Sequence, residues 1–258
     1  MKCDRHLKMK QLFLQRKNIT NKELCEKFNI SIETARRDLT ILEQEGVIKR
    51  VYGGAVLSDD NIMPDSMQSW NTRVVTNQEE KCAIAREILQ WIPDNSIIAI
   101  DSGTSTLEIA KLLHAKKNLT VLTNSMYVAF EISTNTDHLV YSIGGAIKKG
   151  EMITTGFLAN DFLEYFSHID LAILSTDGFN VNEGLTDYSV EMGTLKRSMI
   201  EKADQVFVAV DHSKFATTAF YKVCGIDKVK LVVTSTKAPQ ASIDILKNGG
   251  VQVVQAAV

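Results

Sequence analysis

From Asp94 to the C-terminus, short β-rich apolar runs alternate with stretches of helical periodicity, and this alternation narrows the possible folds of the 258-residue chain most. The runs at 97–100, 120–122, 139–143, 171–174, 206–210, 231–233 and 251–254 read as strands, and the stretches 105–114, 126–133, 155–165, 188–203 and 240–248 as helices. Strands separated by helices pair in parallel through crossovers and are covered on both faces. The expectation is a doubly wound, mostly parallel α/β domain. Ligands on such sheets bind beyond the carboxyl ends of the strands, so the residues that close each run are the candidates for a site.

Those residues are polar or small. The run at 97–100 ends in Asp101-Ser102-Gly103-Thr104-Ser105-Thr106 and passes straight into a helix. Small hydroxyl residues and a glycine at a helix N-terminus leave backbone N–H groups free beside the positive end of the dipole, which suits an anion such as phosphate. No GxxxxGK[ST] is present, so a nucleotide loop is not expected. Asn124 follows the next strand, and Gly144-Gly145 the one after. Asp177-Gly178 and Asp211-His212-Ser213-Lys214 close two more. Five such ends on one rim favour a polar ligand over ordinary turn chemistry. His212 fits either a ligand contact or a turn.

The first 57 residues read differently. Met9, Leu12, Phe13 and Leu7 share one helical face, and Thr20 with Glu23 forms a capping box for a helix over 21–28. Asn29-Ile30-Ser31 makes a tight turn. Ser31 caps a second helix from Ile32 to about Glu45, stopped by Gly46, with Ile32, Ala35, Leu39 and Leu42 as its buried stripe. Thr34, Arg36, Arg37 and Thr40 are left on other faces. The segment 47–57 then reads as two short strands about a glycine turn. Such a unit is a winged helix-turn-helix: its second helix brings Ser31, Thr34, Arg36 and Arg37 to the major groove of double-stranded DNA, and Lys49, Arg50 and Tyr52 in the wing reach the phosphate backbone.

Charge divides in the same way. Residues 1–57 carry a balance of +5 and residues 58–258 a balance of −7, so only the head is suited to a polyanion. Residues 58–78 are polar, aperiodic and contain Pro64, and read as a linker before a sensing domain over 79–258. No apolar run approaches the ~20 residues of a membrane helix, and MKCDRHLKMKQ at the N-terminus lacks the apolar core of a secretory signal. Cys3, Cys25, Cys82 and Cys224 lie far apart, and the five histidines show no metal-ligand spacing. A cytoplasmic protein with reduced thiols, no metal, no cofactor and no membrane partner is expected.

The stretch ISIETARRDLTILEQEGVIKRVYGGA (30–55) resembles the N-terminal signature of the DeoR family of bacterial repressors through Ser31, Thr34, Arg36-Arg37-Asp38-Leu39, Leu42-Glu43, Gly46, Arg50 and Gly53-Gly54-Ala55. Arg5, Leu12, Glu23-Leu24 and Phe28 extend the likeness upstream. The larger half is similar to the family's sensor domain, whose fold resembles ribose phosphate isomerase. That resemblance implies ligand positions at Asp101, Gly103-Thr104, Asn124, Gly144-Gly145, Asp177-Gly178, Thr186, Glu191, Lys196, Asp211 and Lys214, with Gly184 among the matched glycines. It also implies a phosphorylated sugar as effector and a homo-oligomer, dimer or tetramer, whose paired heads read an operator. Catalysis is not expected. The isomerase's Gly-Ala-Asp-Glu turn is here Ser175-Thr176-Asp177-Gly178-Phe179, its Lys-Gly-Gly-Gly segment has become Glu183-Gly184-Leu185-Thr186, and Lys196 does not match the lost lysine in spacing. A repressor of a carbohydrate operon, released by a phosphorylated sugar, is the first expectation. An isomerase-like enzyme with an accessory DNA-binding head is the alternative, and the sign of regulation stays open.

Overall fold

The computed structural model describes residues 2–16, 18–44, 47–51, 53–57 and 69–258. The chain divides into two units, Met1–Gln78 and Glu79–Val258.

In the first unit, helix α1 (Lys2–Arg16) is followed by strand β1 (Asn18–Thr20), helices α2 (Asn21–Phe28) and α3 (Ile32–Gln44), strands β2 (Ile48–Val51) and β3 (Gly54–Leu57), and helix α4 (Trp70–Val75). The start of α2 is fixed by the capping box: the Glu23 N–H donates to Thr20 Oγ1 at 3.2 Å, and the Thr20 N–H to Glu23 Oε2 at 2.8 Å. Asn29, with φ of 50°, ends α2 in the left-handed region. Ser31 Oγ then accepts from the Thr34 N–H at 3.2 Å and opens α3.

Met9, Leu12, Phe13, Leu24, Ala35, Leu39 and Leu42 form the core with Val47, Ile48 and Ala55. The buried stripe of α3 differs from the one expected at two positions: Ile32 is exposed, and Asp38 is buried in the stripe. The wing is a three-stranded antiparallel sheet, order β1-β3-β2. A Cβ on Gly54 would stand 2.3 Å from the Ile19 carbonyl oxygen, so the β1 pairing requires glycine there. Within 58–78, Ser69 caps α4, which buries Trp70 and Val75 and packs on α1. Part of that stretch is therefore ordered structure; six residues are too few to show a helical period. Leu7's side chain, Glu45-Gly46, Tyr52 and 58–68 lie outside the described residues.

In the second unit, α5 (Gln78–Leu89) leads to β4 (Ile97–Ile100), α6 (Thr104–Ala110), β5 (Thr120–Thr123), α7 (Met126–Asn135), β6 (Leu139–Ser142), β7 (Ala146–Lys148), β8 (Ile153–Thr155), α8 (Phe157–Glu164), β9 (Ile169–Leu174), β10 (Gly178–Asn180), β11 (Gly184–Asp187), α9 (Val190–Lys202), β12 (Ala203–Ala209), β13 (Tyr221–Cys224), β14 (Leu231–Ser235), α10 (Gln240–Asn248) and β15 (Gln252–Ala256). Seven strands form one parallel sheet in the order β15-β14-β12-β9-β4-β5-β6. Ile84, Ile88, Ile109, Val128 and Ile132 from α5, α6 and α7 pack on one face. Ala159, Leu163, Leu195, Met199, Ile243 and Leu246 from α8, α9 and α10 pack on the other. This is the doubly wound parallel arrangement that the alternation implies, and the first helix after β4 is shorter than expected. From β4 the chain winds outward to β5 and β6, and from β9 it winds the other way, so the order reverses between β4 and β9. A crevice opens at such a reversal. The β7–β8 hairpin and the antiparallel sheet β10-β11-β13 are additions that periodicity does not reveal. Among the described residues no helix is long and apolar enough to cross a membrane.

Candidate DNA interface and ligand rim

On α3, Arg36 and Arg37 are exposed and Thr34 is half-buried, with its hydroxyl 3.0 Å from that of Ser31. Lys49 and Arg50 on β2 are exposed as well. Arg50 ties the wing to α3: its N–H donates to Glu43 Oε1 at 2.9 Å and its Nη1 to Thr40 Oγ1 at 3.2 Å. The wing and the helix therefore present their basic groups as one surface.

Asp38, which the sequence reading matched to the family signature without giving it a role, is buried on α3. Its carboxylate accepts from Arg5 Nε at 2.8 Å and Arg5 Nη2 at 3.1 Å, and lies 2.8 Å from His6 Nε2. Burial works against the charged form, yet the bonds from Arg5 and His6 outweigh it and hold Asp38 below the usual carboxylate range. Asp38 so fastens α3 to α1 from the face opposite the free arginines. Its signal was an acid between Ala35 and Leu39, at a position the stripe would bury.

In the second unit, the loops after β4, β5, β6, β9 and β12 lie at the carboxyl ends of a parallel sheet, so the sequence-predicted residues on them share one rim. At the reversal point the β4 and β9 loops are locked together. Asp101 Oδ2 accepts from the Ser175 N–H at 2.9 Å and Ser175 Oγ at 3.0 Å, and Oδ1 from the Gly103 N–H at 3.3 Å. A Cβ on Gly103 would fall 2.0 Å from Ser175 Oγ, so only glycine lets the loops approach this closely. Lys196 from α9 closes the lock: its Nζ lies 3.2 Å from Asp101, 2.7 Å from Asp187 and 2.8 Å from the Ser175 carbonyl oxygen. An ammonium has three donors, and these three oxygens surround it. Burial alone would depress the Lys196 pKa, but the carboxylates of Asp187, Asp101 and Asp177 raise it, and the side chain stays charged. Burial raises the Asp101 carboxyl, against the pull of Lys196.

Several expected ligand residues thus have partners inside the protein. Lys196 and Asp101 hold the loops. Thr106 Oγ1 accepts from the Gly103 N–H at 2.7 Å and caps α6. Thr186 Oγ1 donates to the Gly178 carbonyl at 3.1 Å and accepts from the Ala219 N–H at 2.9 Å. Gly178 allows the Thr217 carbonyl to approach, and Gly145, at φ of 140°, does the same for Thr155. Asp211 accepts from the Ser213 N–H at 3.0 Å. These residues shape the rim.

Others lie along the same rim. The first-turn N–H groups of Thr104 and Ser105 have no intrahelical acceptor, as in any helix. Asn124 Oδ1 is buried without a hydrogen-bond partner, while its Nδ2 donates to the Thr154 carbonyl at 3.1 Å. Ser102, Asp177 and Lys214 are half-buried, and Gly144 and Glu191 are exposed. Asp177 Oδ2 accepts from the Tyr188 N–H at 3.1 Å.

Glu80 and Asp187 are further rim residues that the sequence did not indicate; the partners of Glu80 lie more than 130 residues along the chain. Glu80 is buried at the start of α5; it lies 2.8 Å from His212 Nδ1 and accepts from Ser235 Oγ at 2.7 Å. His212 is thereby placed as a fastener. Glu80, Asp211 and His212 bring donor atoms within 4.8 Å of one another. Lys237 lies 3.3 Å from Glu80, and Lys81 and Lys214 attract Asp211, so side-chain cations supply the positive charge there.

A winged helix-turn-helix with free paired arginines, carried with a doubly wound α/β unit whose rim is polar, defines a class: DNA-binding regulators with a built-in sensor. Residues 5–61 match the DeoR-like helix-turn-helix domain, and residues 76–236 match the DeoR C-terminal sensor domain. The chain belongs to the DeoR family of transcriptional regulators. It is 32% identical over 250 residues to the HTH-type transcriptional regulator GolR of Listeria innocua, covering 97% of each chain. It is 31% identical over 248 residues to the glycerol-3-phosphate regulon repressor of Escherichia coli, covering 96% of each. Among solved structures, a D-ribose-5-phosphate isomerase in complex with phospho-erythronic acid is similar over 54% of each chain, at 20% identity and a TM-score of 0.41, a likeness too loose to speak to function. The α/β unit is a sensor domain, and the chain is a regulator rather than an enzyme.

Proposed function

We propose that the protein represses a carbohydrate-utilisation operon and leaves its operator when a phosphorylated sugar occupies the rim. The observation that carries this reading is the match of both halves to one family of regulators, among whose members is a repressor named for a glycerol-3-phosphate regulon. Arg36 and Arg37 enter the major groove with Thr34 and Ser31 at the helix start, and Lys49, Arg50 and Tyr52 contact phosphates beside it. On the rim, the N–H groups of Thr104 and Ser105 with the Lys214 ammonium take the phosphate. Asp177, Ser102 and the unpartnered Asn124 Oδ1 take sugar hydroxyls. The Asp101–Lys196–Asp187 lock holds these groups in place without touching the ligand. The protein works in the cytoplasm as a homo-oligomer whose paired heads read paired half-sites.

A ligand shifts DNA affinity only by binding two conformations unequally. Duplexes selected from a random pool by the full chain, then titrated by fluorescence anisotropy, test the reading. Within a panel of triose, pentose and hexose phosphates, one member should weaken binding by about 5–150-fold, the usual range of such coupling. Binding without sequence preference, or an operator complex that no member of the panel disturbs, would overturn it.

A further inference from the structure

We infer that the β6 edge of the sensor sheet is the surface on which a second copy of this chain docks, whatever ligand the rim takes. Strand β6 ends the seven-stranded sheet, so among the described residues one side of its backbone has no strand beside it. Proteins blunt such edges with charges, prolines or bulges, because a bare edge pairs with other chains. Leu139-Val140-Tyr141-Ser142 has none of these, and it exposes Leu139 and Tyr141. The opposite edge, β15, exposes Gln252 instead.

The apolar exposure continues on the elements around β6. Helix α7 packs against the strand, and its Phe130 is 70% exposed. The β7–β8 hairpin, pinned to the start of α7 by the Ser125–Ile153 bridge, exposes Ile147. Helix α8 follows at once with Phe157, 74% exposed. Tyr141 meets Phe166 edge-to-face at 5.6 Å, and the preceding Tyr165 is 88% exposed. At roughly 150–250 Å² per aromatic side chain, the exposed parts of Phe130, Tyr141, Phe157 and Tyr165 amount to ~500 Å². Leu139 and Ile147 carry the total toward the ~800 Å² that each partner gives to a stable interface. Scattered apolar residues need no explanation, but a patch this large on one edge does.

The occupant is a second copy because the surface can complement itself. Two copies related by a twofold axis present β6 to β6 antiparallel, which joins the sheets and pairs the open backbone groups of both strands. Lys148 on β7 and Glu131 on α7 put both signs of charge on the elements around β6, so two copies do not meet with a single sign of charge.

Analytical ultracentrifugation of the full chain without DNA tests this. The wild type should sediment as an even-numbered oligomer at micromolar concentration. Leu139→Lys with Tyr141→Lys should halve the mass with an unchanged circular dichroism spectrum, and Gln252→Lys on β15 should leave the mass as it was. Should the double variant fail to fold, Tyr141→Cys serves instead, because antiparallel self-pairing brings the residue near its twofold mate. Under mild oxidation it should give a reducible dimer beyond any formed by the native cysteines. A monomeric wild type would assign the patch to some other partner and overturn the inference. So would an unchanged mass in the folded double variant, dissociation by Gln252→Lys, or no added cross-link.

Discussion

In the first unit, the buried Asp38 carboxylate is held by Arg5 and His6, whose side chains still reach solvent at 23% and 16% exposure. In the second, the Lys196 side chain is 7% exposed and lies between the carboxylates of Asp101 and Asp187, which are more deeply buried still. The first cluster is a fastener whose partners can turn to water if it is broken. The second is sealed, with one ammonium among carboxylates that have nowhere else to go. The difference separates two kinds of polar residue that look alike in sequence. Sealed groups brace one another across the fold, whereas half-buried groups such as Ser102 stay within reach of solvent.

Lys196→Met presses hardest on this contrast. Removing one partner of a buried ion pair strands the other, at about 3–5 kcal/mol. Urea unfolding should show a loss of that size in the transition of the sensor unit, and a loss near zero would mean that water reaches Asp101 and Asp187 after all. Asp38→Ala should cost less, about 1.5–3 kcal/mol for bonds to charged groups, because Arg5 and His6 can be rehydrated. The same melts read it, followed through the transition of the first unit.

Acid sharpens the comparison. The folded Asp38 titrates below the ~3.9 of an unfolded chain, so its stabilisation is present above that value and is lost as pH falls through the folded one. At Asp101 the shift runs upward, so that residue favours the folded state most at low pH and progressively less as pH rises through its folded value. Asp38→Asn should therefore flatten the acid limb of the first unit's stability curve. An acid limb as steep as that of the wild type would remove Asp38 from this role.

On the DNA surface, where the basic side chains are exposed, effects should be smaller and selective. Arg37→Ala should weaken specific binding by ~1–3 kcal/mol if the guanidinium reads a guanine edge. Lys49→Ala should weaken all sequences alike and lower the salt slope by about one. Gel shifts on selected and random duplexes across salt separate the two, and interchangeable behaviour would break the assignment of α3 to the groove.

Much of this was legible in the sequence because it depends on near neighbours. Thr20 and Glu23 form their box across three residues, and the seven parallel strands stand where the apolar runs are, with ends moved by up to three residues. What escaped depends on distant pairing. The three residues of β1 are held by β3, 36 residues on in its register, and carry no period of their own. Ile32 fits the stripe by spacing but lies at the end of α3 that the core does not cover. Lys196 matched the family pattern, and only the fold shows that it lies against Asp101 and Asp187. Asn124 was chosen as a residue at a strand end; its unpartnered Oδ1 could be found only in three dimensions.

The central claim is that the residues sealed into the lock hold the rim while Lys214 and the first turn of α6 take a phosphate. Once selection has named the sugar phosphate that releases the operator, calorimetry with that ester and its unphosphorylated sugar tests the claim on wild type and Lys214→Ala. Wild type should bind the ester at least about tenfold more tightly, a difference of ~1.4 kcal/mol, and Lys214→Ala should lose most of that margin while still binding operator. Equal affinity of the wild type for ester and sugar would contradict the account and leave the Gly103 loop as ordinary fold architecture.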